Sequence, residues 1–163
     1  MQVLIRNRQG KEFKAQIDRF TRKNIKGLDS KWKFNWNQLF NSSALFFMVM
    51  YDEQIQGLIK LEEENASYYV LKNIEVAPWN YGSKGRYKNI ADILMSFACL
   101  KSFELNKGNY KGFLVFTSKG NLIEYYKKKY NAELIFRERM IISSHIGKQL
   151  ILSNLGIDLS NEE

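Results

Sequence analysis

One stretch of the sequence holds chemistry-bearing residue types in an ordered pattern. It runs Asn73-Ile74-Glu75-Val76-Ala77-Pro78, then a loop containing Gly82 and Gly85, then Arg86-Tyr87-Lys88-Asn89-Ile90-Ala91. A strand ends, the chain turns, and basic residues sit where an apolar helix begins. Unpaired backbone N–H groups and the positive end of the helix dipole then face one point, which is an anion cradle. An ordinary strand-to-helix connection with solvated lysines has the same pattern, so this spacing alone leaves both readings open. Other reactive groups are scattered. His145 is the only histidine, and near the chain end it reads as a surface residue although its pKa range suits a base. Cys99, the only cysteine, lies beside Phe97 and Ala98 and reads as a core thiol. Glu62-Glu63-Glu64 at a turn is a solvated charge run or a greeting for a cationic acceptor.

Charge supports an anionic partner. The 163 residues carry a formal charge of +8. From Gly82 to Tyr130 ten basic residues stand against Asp92, Glu104 and Glu124, a net +7 in that stretch. Such a concentration fits nucleic acid or a polyphosphate cofactor, and charge does not choose between them. One cysteine excludes an intramolecular disulfide and a multi-cysteine metal site, and no metal is expected. The N-terminus has no export-signal pattern and the longest apolar run, Ala44 to Tyr51, is far short of the ~20 residues that cross a bilayer. The expectation is one domain over residues 1–163, cytoplasmic, with no membrane partner.

The elements that must position these residues are readable from periodicity. Gln2 to Arg6 predicts a strand, and Lys11 to Ile17 a second strand or the start of a helix. Asp18 to Asn41, with Phe20, Trp32, Phe34, Trp36 and Phe40, predicts short helices joined by an aromatic-rich loop. Ala44 to Tyr51, Gln54 to Glu62 and Ser67 to Val76 predict three strands whose short connections imply an antiparallel meander. Ile90 to Leu105 places Ile90, Ile93, Leu94, Phe97, Ala98 and Leu100 on one helical arc. A strand at Gly112 to Thr117, a helix from about Asn121 to Lys129, and short strands around Glu133 to Phe136 and Met140 to Ser143 follow. The class is mixed α/β (α+β), with a largely antiparallel central sheet flanked by helices.

With these residues in place the sequence resembles the GNAT superfamily of acyl-CoA-dependent N-acyltransferases, of an uncharacterised bacterial type. In that family a strand ending Val-x-Pro precedes Arg/Gln-x-x-Gly-x-Gly/Ala and a helix beginning x-x-Leu-Leu. Val76, Pro78, Arg86, Ile90, Ala91, Leu94 and Met95 fit that pattern, and Glu124-Tyr125-Tyr126 matches the family's tyrosine-bearing helix. The similarity covers about Ala44 to Phe136. Two departures stand out: Asn89 replaces the central glycine, on the expectation that Asn tolerates the left-handed backbone of a close pyrophosphate approach. The loop from Pro78 to Arg86 is also longer than usual, with Gly82 and Gly85 expected to let it fold over a ligand.

The resemblance implies acetyl-CoA, or a similar acyl-CoA, as co-substrate, with Val76, Arg86, Lys88, Asn89, Ile90 and Ala91 binding it. Backbone N–H near Val76 would polarise the thioester carbonyl, and Tyr126 would protonate the departing thiolate. Tyr126 read simply as a half-buried packing residue is the competing reading, and Tyr125 reads as core. Glu75 is the carboxylate expected to take the amine's proton, against an outward-facing strand residue. Lys127 to Lys129 meet the cofactor's 3′-phosphate or form a solvated helix end. Trp32, Phe34 and Trp36 line the acceptor pocket or belong to the core. The primary-amine acceptor is open among a small molecule, a protein and an aminoacyl-tRNA. Two other functions compete: a basic nucleic-acid-binding module, and a CoA-binding relative without catalysis.

Overall fold

The computed structural model describes residues 1–162. Eight strands form one sheet in the order β1-β2-β3-β4-β5-β6-β8-β7. They are β1 (Gln2–Arg6), β2 (Glu12–Arg19), β3 (Leu45–Tyr51), β4 (Gln54–Glu64), β5 (Tyr68–Val76), β6 (Leu114–Thr117), β7 (Glu133–Phe136) and β8 (Arg139–Ile142). Four helices accompany them: a single turn α1 (Trp36–Leu39), then α2 (Ile90–Leu105), α3 (Ile123–Tyr130) and α4 (Ser144–Leu155). The mixed α+β class with a mostly antiparallel sheet is as expected; β5 and β6 are the parallel pair. No helix among the described residues is long and apolar enough to cross a membrane.

By contacts the chain divides into two compact units, Met1–Lys60 with Asn73–Leu94 and Leu61–Lys72 with Met95–Glu163. In the first, β1 and β2 form a hairpin whose alternation buries Val3, Ile5, Ala15 and Ile17 on one side. Lys11 to Ile17 is therefore strand. The Asn7 carboxamide closes the turn by accepting from Gln9 and Lys11 N–H. At the turn between β3 and β4, Asp52 and Glu53 both take left-handed backbone, the pairing that matches the twist of a two-residue hairpin. Phe20, Trp32, Trp36, Phe46, Met48, Ile55 and Leu58 make the core of this unit, so the aromatics of the 18–41 segment mostly pack. Gly57 on β4 admits α2: a Cβ there would lie 2.6 Å from Ile90 Cγ2 and 2.7 Å from Leu94 Cδ1.

In the second unit β5 pairs with β6 at Val70↔Val115 and Leu71↔Phe116, well before β5 ends at Val76. Antiparallel β8 continues the sheet from β6, and β7 is its edge. The later part of α2 is apolar nearly all round, burying Met95, Phe97, Ala98, Cys99, Leu100 and Phe103. Asn106, just past that helix, accepts from Tyr69 N–H and donates to the carbonyls of Tyr110 and Phe113. Helix α4 was not foreseen. Ser143, expected to end a strand, instead caps it by accepting from Ile146 N–H, and left-handed Gly156 stops it.

Candidate active site

The cradle is assembled by buried polar side chains. After β5, Ala77 N–H donates to the Gln56 carbonyl at 2.9 Å, and Pro78–Asn80 makes one tight turn. Asn80, buried, donates to both the backbone and side-chain oxygens of Gln56 at 3.1 Å and accepts from Tyr87 N–H at 3.1 Å. Trp79 Nε1 donates to Gln56 Oε1 at 2.8 Å, and the Trp79 carbonyl accepts from Arg86 N–H at 2.9 Å. Gly85 is needed for contact: a Cβ there would stand 2.4 Å from the Asn80 carbonyl oxygen. The loop is pinned onto Gln56 and Asn80, which replaces the expectation that Gly85 lets it fold over a ligand.

Asn89 also corrects its expectation. Its backbone is not left-handed. Its carboxamide instead bridges the edge of β1, accepting from Arg6 N–H at 2.8 Å and donating to the Leu4 carbonyl at 2.9 Å, while Lys88 N–H donates to the Arg6 carbonyl. The N–H groups of Arg86, Tyr87 and Lys88 are thus all taken by the protein. What remains of the cradle is the first turn of α2, where Ile90 and Ala91 present amides that have no intrahelical acceptor. These two residues border a cavity of about 380 Å³ with Val76, Asn80, Tyr81, Gly82, Ser83, Tyr87 and Lys88. Of the six residues expected to hold a cofactor, Val76, Lys88, Ile90 and Ala91 line this cavity; Arg86 and Asn89 do not.

Glu75 points inward and is 5% exposed, so the outward-facing alternative falls. Both carboxylate oxygens are engaged. Oε2 accepts from Lys33 N–H at 2.6 Å and from the Tyr81 hydroxyl; Oε1 accepts from Phe34 N–H at 3.1 Å and Trp36 Nε1 at 2.9 Å. Four donors occupy the four lone-pair positions a carboxylate offers. An amine has no place left on it. The expected base is therefore an anchor. Burial, and then Glu75 beside it, push the Tyr81 phenol well above its ordinary range, so Tyr81 stays a donor. Lys33, Phe34 and Trp36, held by Glu75, border a second cavity of about 400 Å³ with Ile25, Leu28 and Asp29. Trp32 and Trp36 touch that cavity but are buried core residues; Phe34 is the exposed aromatic of the three.

In the second unit, Tyr126 on α3 packs its ring against Phe116, Tyr125 and Tyr130, at centroid distances of 5.1, 5.3 and 6.3 Å. Its hydroxyl has no hydrogen-bond partner among the described residues. Burial first, then Tyr125, raise its pKa above the ordinary phenol value. Tyr125 is 49% exposed, not core: on this short helix it is Tyr130 that is buried. Several lysines of the basic stretch have carboxylate partners, Lys101 with Glu104, Lys111 with Glu162 and Lys127 with Glu124. The basic surplus lies in the first unit, with fourteen Lys and Arg against seven Asp and Glu. Glu64 of the acidic run is bound by Arg139 at 2.8 Å, with Tyr68 and Lys72 adding to it. His145 is exposed on α4, and Cys99 is fully buried, its thiol pushed up to about 12 by desolvation.

No protein-family model matches the chain, and no curated protein matches it by sequence. Solved structures do match by shape. A Bacillus subtilis N-acetyltransferase, YlbP, in complex with coenzyme A aligns at TM-score 0.55 and 14% identity, over 79% of this chain and 96% of that one. The Campylobacter jejuni N-acetyltransferase PseH aligns at 0.52 and 18% identity, over 79% and 97%. The toxin AtaT, bound to the C-terminus of the antitoxin AtaR, aligns at 0.58 and 10% identity, over 85% and 96%. A sheet in this order, a cavity at the first turn of α2 and these likenesses agree on one conclusion: the chain has the fold of the GNAT-family acetyltransferases.

Proposed function

We propose that the protein is an N-acyltransferase that moves an acetyl or similar acyl group from acyl-CoA to a primary amine. The observation that carries this reading is the cavity where strand backbone at Val76 meets the free first-turn amides of α2, within a fold whose neighbours include acetyltransferases with coenzyme A or acetyl-CoA bound. The amides of Ile90 and Ala91, with the Lys88 ammonium, take the cofactor's pyrophosphate. Pantetheine pairs with β5 beyond Leu71 in the manner of strand addition. A neutral amine attacks the thioester carbon, and backbone donors near Val76 stabilise the oxyanion. The C–S bond then breaks, and the thiolate takes the Tyr126 hydroxyl proton. The amine's proton leaves to water, because Glu75 has no free lone pair, and the Tyr126 phenolate takes a proton back from water to close the cycle.

A second feature bears on the acceptor. The first unit's basic surplus favours an amine carried on an anionic body, which keeps aminoacyl-tRNA beside small molecules and proteins as a candidate. The same surplus supports the competing nucleic-acid-binding reading, and one titration separates the two. At a concentration roughly 100 times its dissociation constant, acetyl-CoA stabilises the fold by about 2.7 kcal/mol, read as a rise in melting temperature. No rise at millimolar acetyl-CoA with a folded protein removes the cofactor; a salt-dependent shift with RNA or DNA then promotes nucleic-acid binding. Thiol release with a panel of amines separates an active transferase from a CoA-binding relative without catalysis.

A further inference from the structure

Glu75 joins the walls of two cavities in the first unit. Three of its four donors, Lys33 N–H, Phe34 N–H and Trp36 Nε1, belong to residues that border the 400 Å³ cavity. The fourth, the Tyr81 hydroxyl, belongs to a residue that borders the 380 Å³ cavity at the start of α2. A second contact repeats the link: the Lys33 ammonium sits 4.6 Å from the centroid of the Tyr81 ring. Lys33 and Phe34 are exposed, yet their backbone donors reach an acceptor 42 and 41 residues away.

We propose that Glu75 and Tyr81 form a clamp through which occupancy of the cavity at the start of α2 sets the order of the loop at residues 31–37, making both of them positioning residues for the acceptor amine. The clamp rests on the proposed cofactor site. Its physical basis is the cost of a buried charge. A carboxylate that is 5% exposed keeps its donors because losing one leaves an unsatisfied anion. A ligand that fixes the Tyr81 ring fixes the hydroxyl on Oε2, and the other three donors are then held more tightly by the same carboxylate. Coupling of this kind is reciprocal, so an ordered 31–37 loop also raises affinity for the ligand at α2. Access of the amine is thereby tied to the presence of the acyl donor, which limits loss of the thioester to water.

Hydrogen exchange by NMR on the full chain tests this, following the Lys33 and Phe34 amides and the Trp36 indole N–H, with coenzyme A as the probe. In the free protein Tyr81→Phe speeds exchange at these three sites by ~10-fold or more while amides in the core of α2 are unchanged, the signature of local opening. Adding coenzyme A slows the three sites in the wild type, and slows them far less in Tyr81→Phe at the same fractional saturation. Once an acceptor is known, Tyr81→Phe raises its KM more than it lowers kcat. Wild-type rates at the three sites in free Tyr81→Phe overturn the clamp. Coenzyme A that binds the wild type without slowing them overturns the coupling. Absence of calorimetric binding to the wild type overturns the cofactor reading and the coupling with it, and the free-protein comparison tells that failure from a failure of the clamp.

Discussion

Glu75 and Tyr126 are the two side chains the sequence reading expected to move protons, and the regions around them treat them in opposite ways. Glu75 sits among four donors, from Lys33, Phe34 and Trp36 at the entry to α1 and from Tyr81 in the loop before α2. Tyr126 is held by rings alone, and its hydroxyl is left without a partner among the described residues. A group that must exchange a proton with a substrate needs an open hydrogen-bonding position at the right moment. Burial raises the worth of both groups, but only Tyr126 keeps that position. Hydrogen-bond saturation is what separates the two: Glu75 has the bonding of an anchor, and Tyr126 keeps the open position its proposed role requires.

The largest expected effect breaks the comparison on the Glu75 side. Glu75→Ala leaves four donors without their acceptor, the Trp36 indole N–H buried among them, at a cost of about 3 kcal/mol in a urea unfolding experiment. A base would behave differently, losing turnover with the fold's stability nearly intact, so unchanged stability returns Glu75 to the role of base. On the other side, Tyr126→Phe keeps the ring contacts and deletes the acid, so turnover falls by ~10²-fold while acetyl-CoA affinity changes little. Tyr125→Phe, exposed on the same helix, is the control. Because burial raises the Tyr126 phenol above its ordinary value, the alkaline decline of kcat lies at higher pH than an exposed tyrosine would give. Unchanged turnover in Tyr126→Phe hands thiolate release to water.

The smallest effect sharpens the comparison with a third group. Glu64 is a carboxylate with strong partners but partial exposure, and the Arg139 hydrogen bond holds its carboxyl below 4.5. A depressed acid contributes stability that is full above its unfolded pKa and is lost as pH falls through its folded one. Arg139→Met should therefore cost about 1 kcal/mol or less at pH 7, and the gap to wild type should close below pH 4.5. A gap that persists at pH 2 makes the loss one of Arg139 packing.

How much of this was legible depended on how local the determinants are. The meander of β3, β4 and β5 was readable because its turns and its period of two are local, and α2 because its apolar arc is long. The segment from Asp18 to Asn41 was not, since an aromatic in a polar stretch looks the same whether it packs or lines a pocket. Cap signals for α4 were present in Ser143 and Gly156, but the first had been counted into the preceding strand. At the site, Val76, Ile90 and Ala91 could be placed from sequence because strand end and helix start are adjacent. Asn89 and Glu75 could not, because their partners lie 83, 85, 41 and 42 residues away and pair polar groups that no periodicity links. Of the neighbouring Tyr125 and Tyr126, sequence took the exposed one for core, because a helix of eight residues shows too little of its arc.

The burial of Cys99 has a practical side. The chain's only thiol is wholly enclosed by α2's surroundings and needs a pH near 12 to ionise, so chromogenic disulfides added to the folded protein find nothing on it to react with. Coenzyme thiol set free in solution can be counted continuously against a blank background. A cysteine placed on an exposed residue of the 31–37 segment, such as Asn37 in α1, would then be the sole attachment point for a spectroscopic label. The same enclosure that removes Cys99 from chemistry makes the rest of the surface addressable one position at a time.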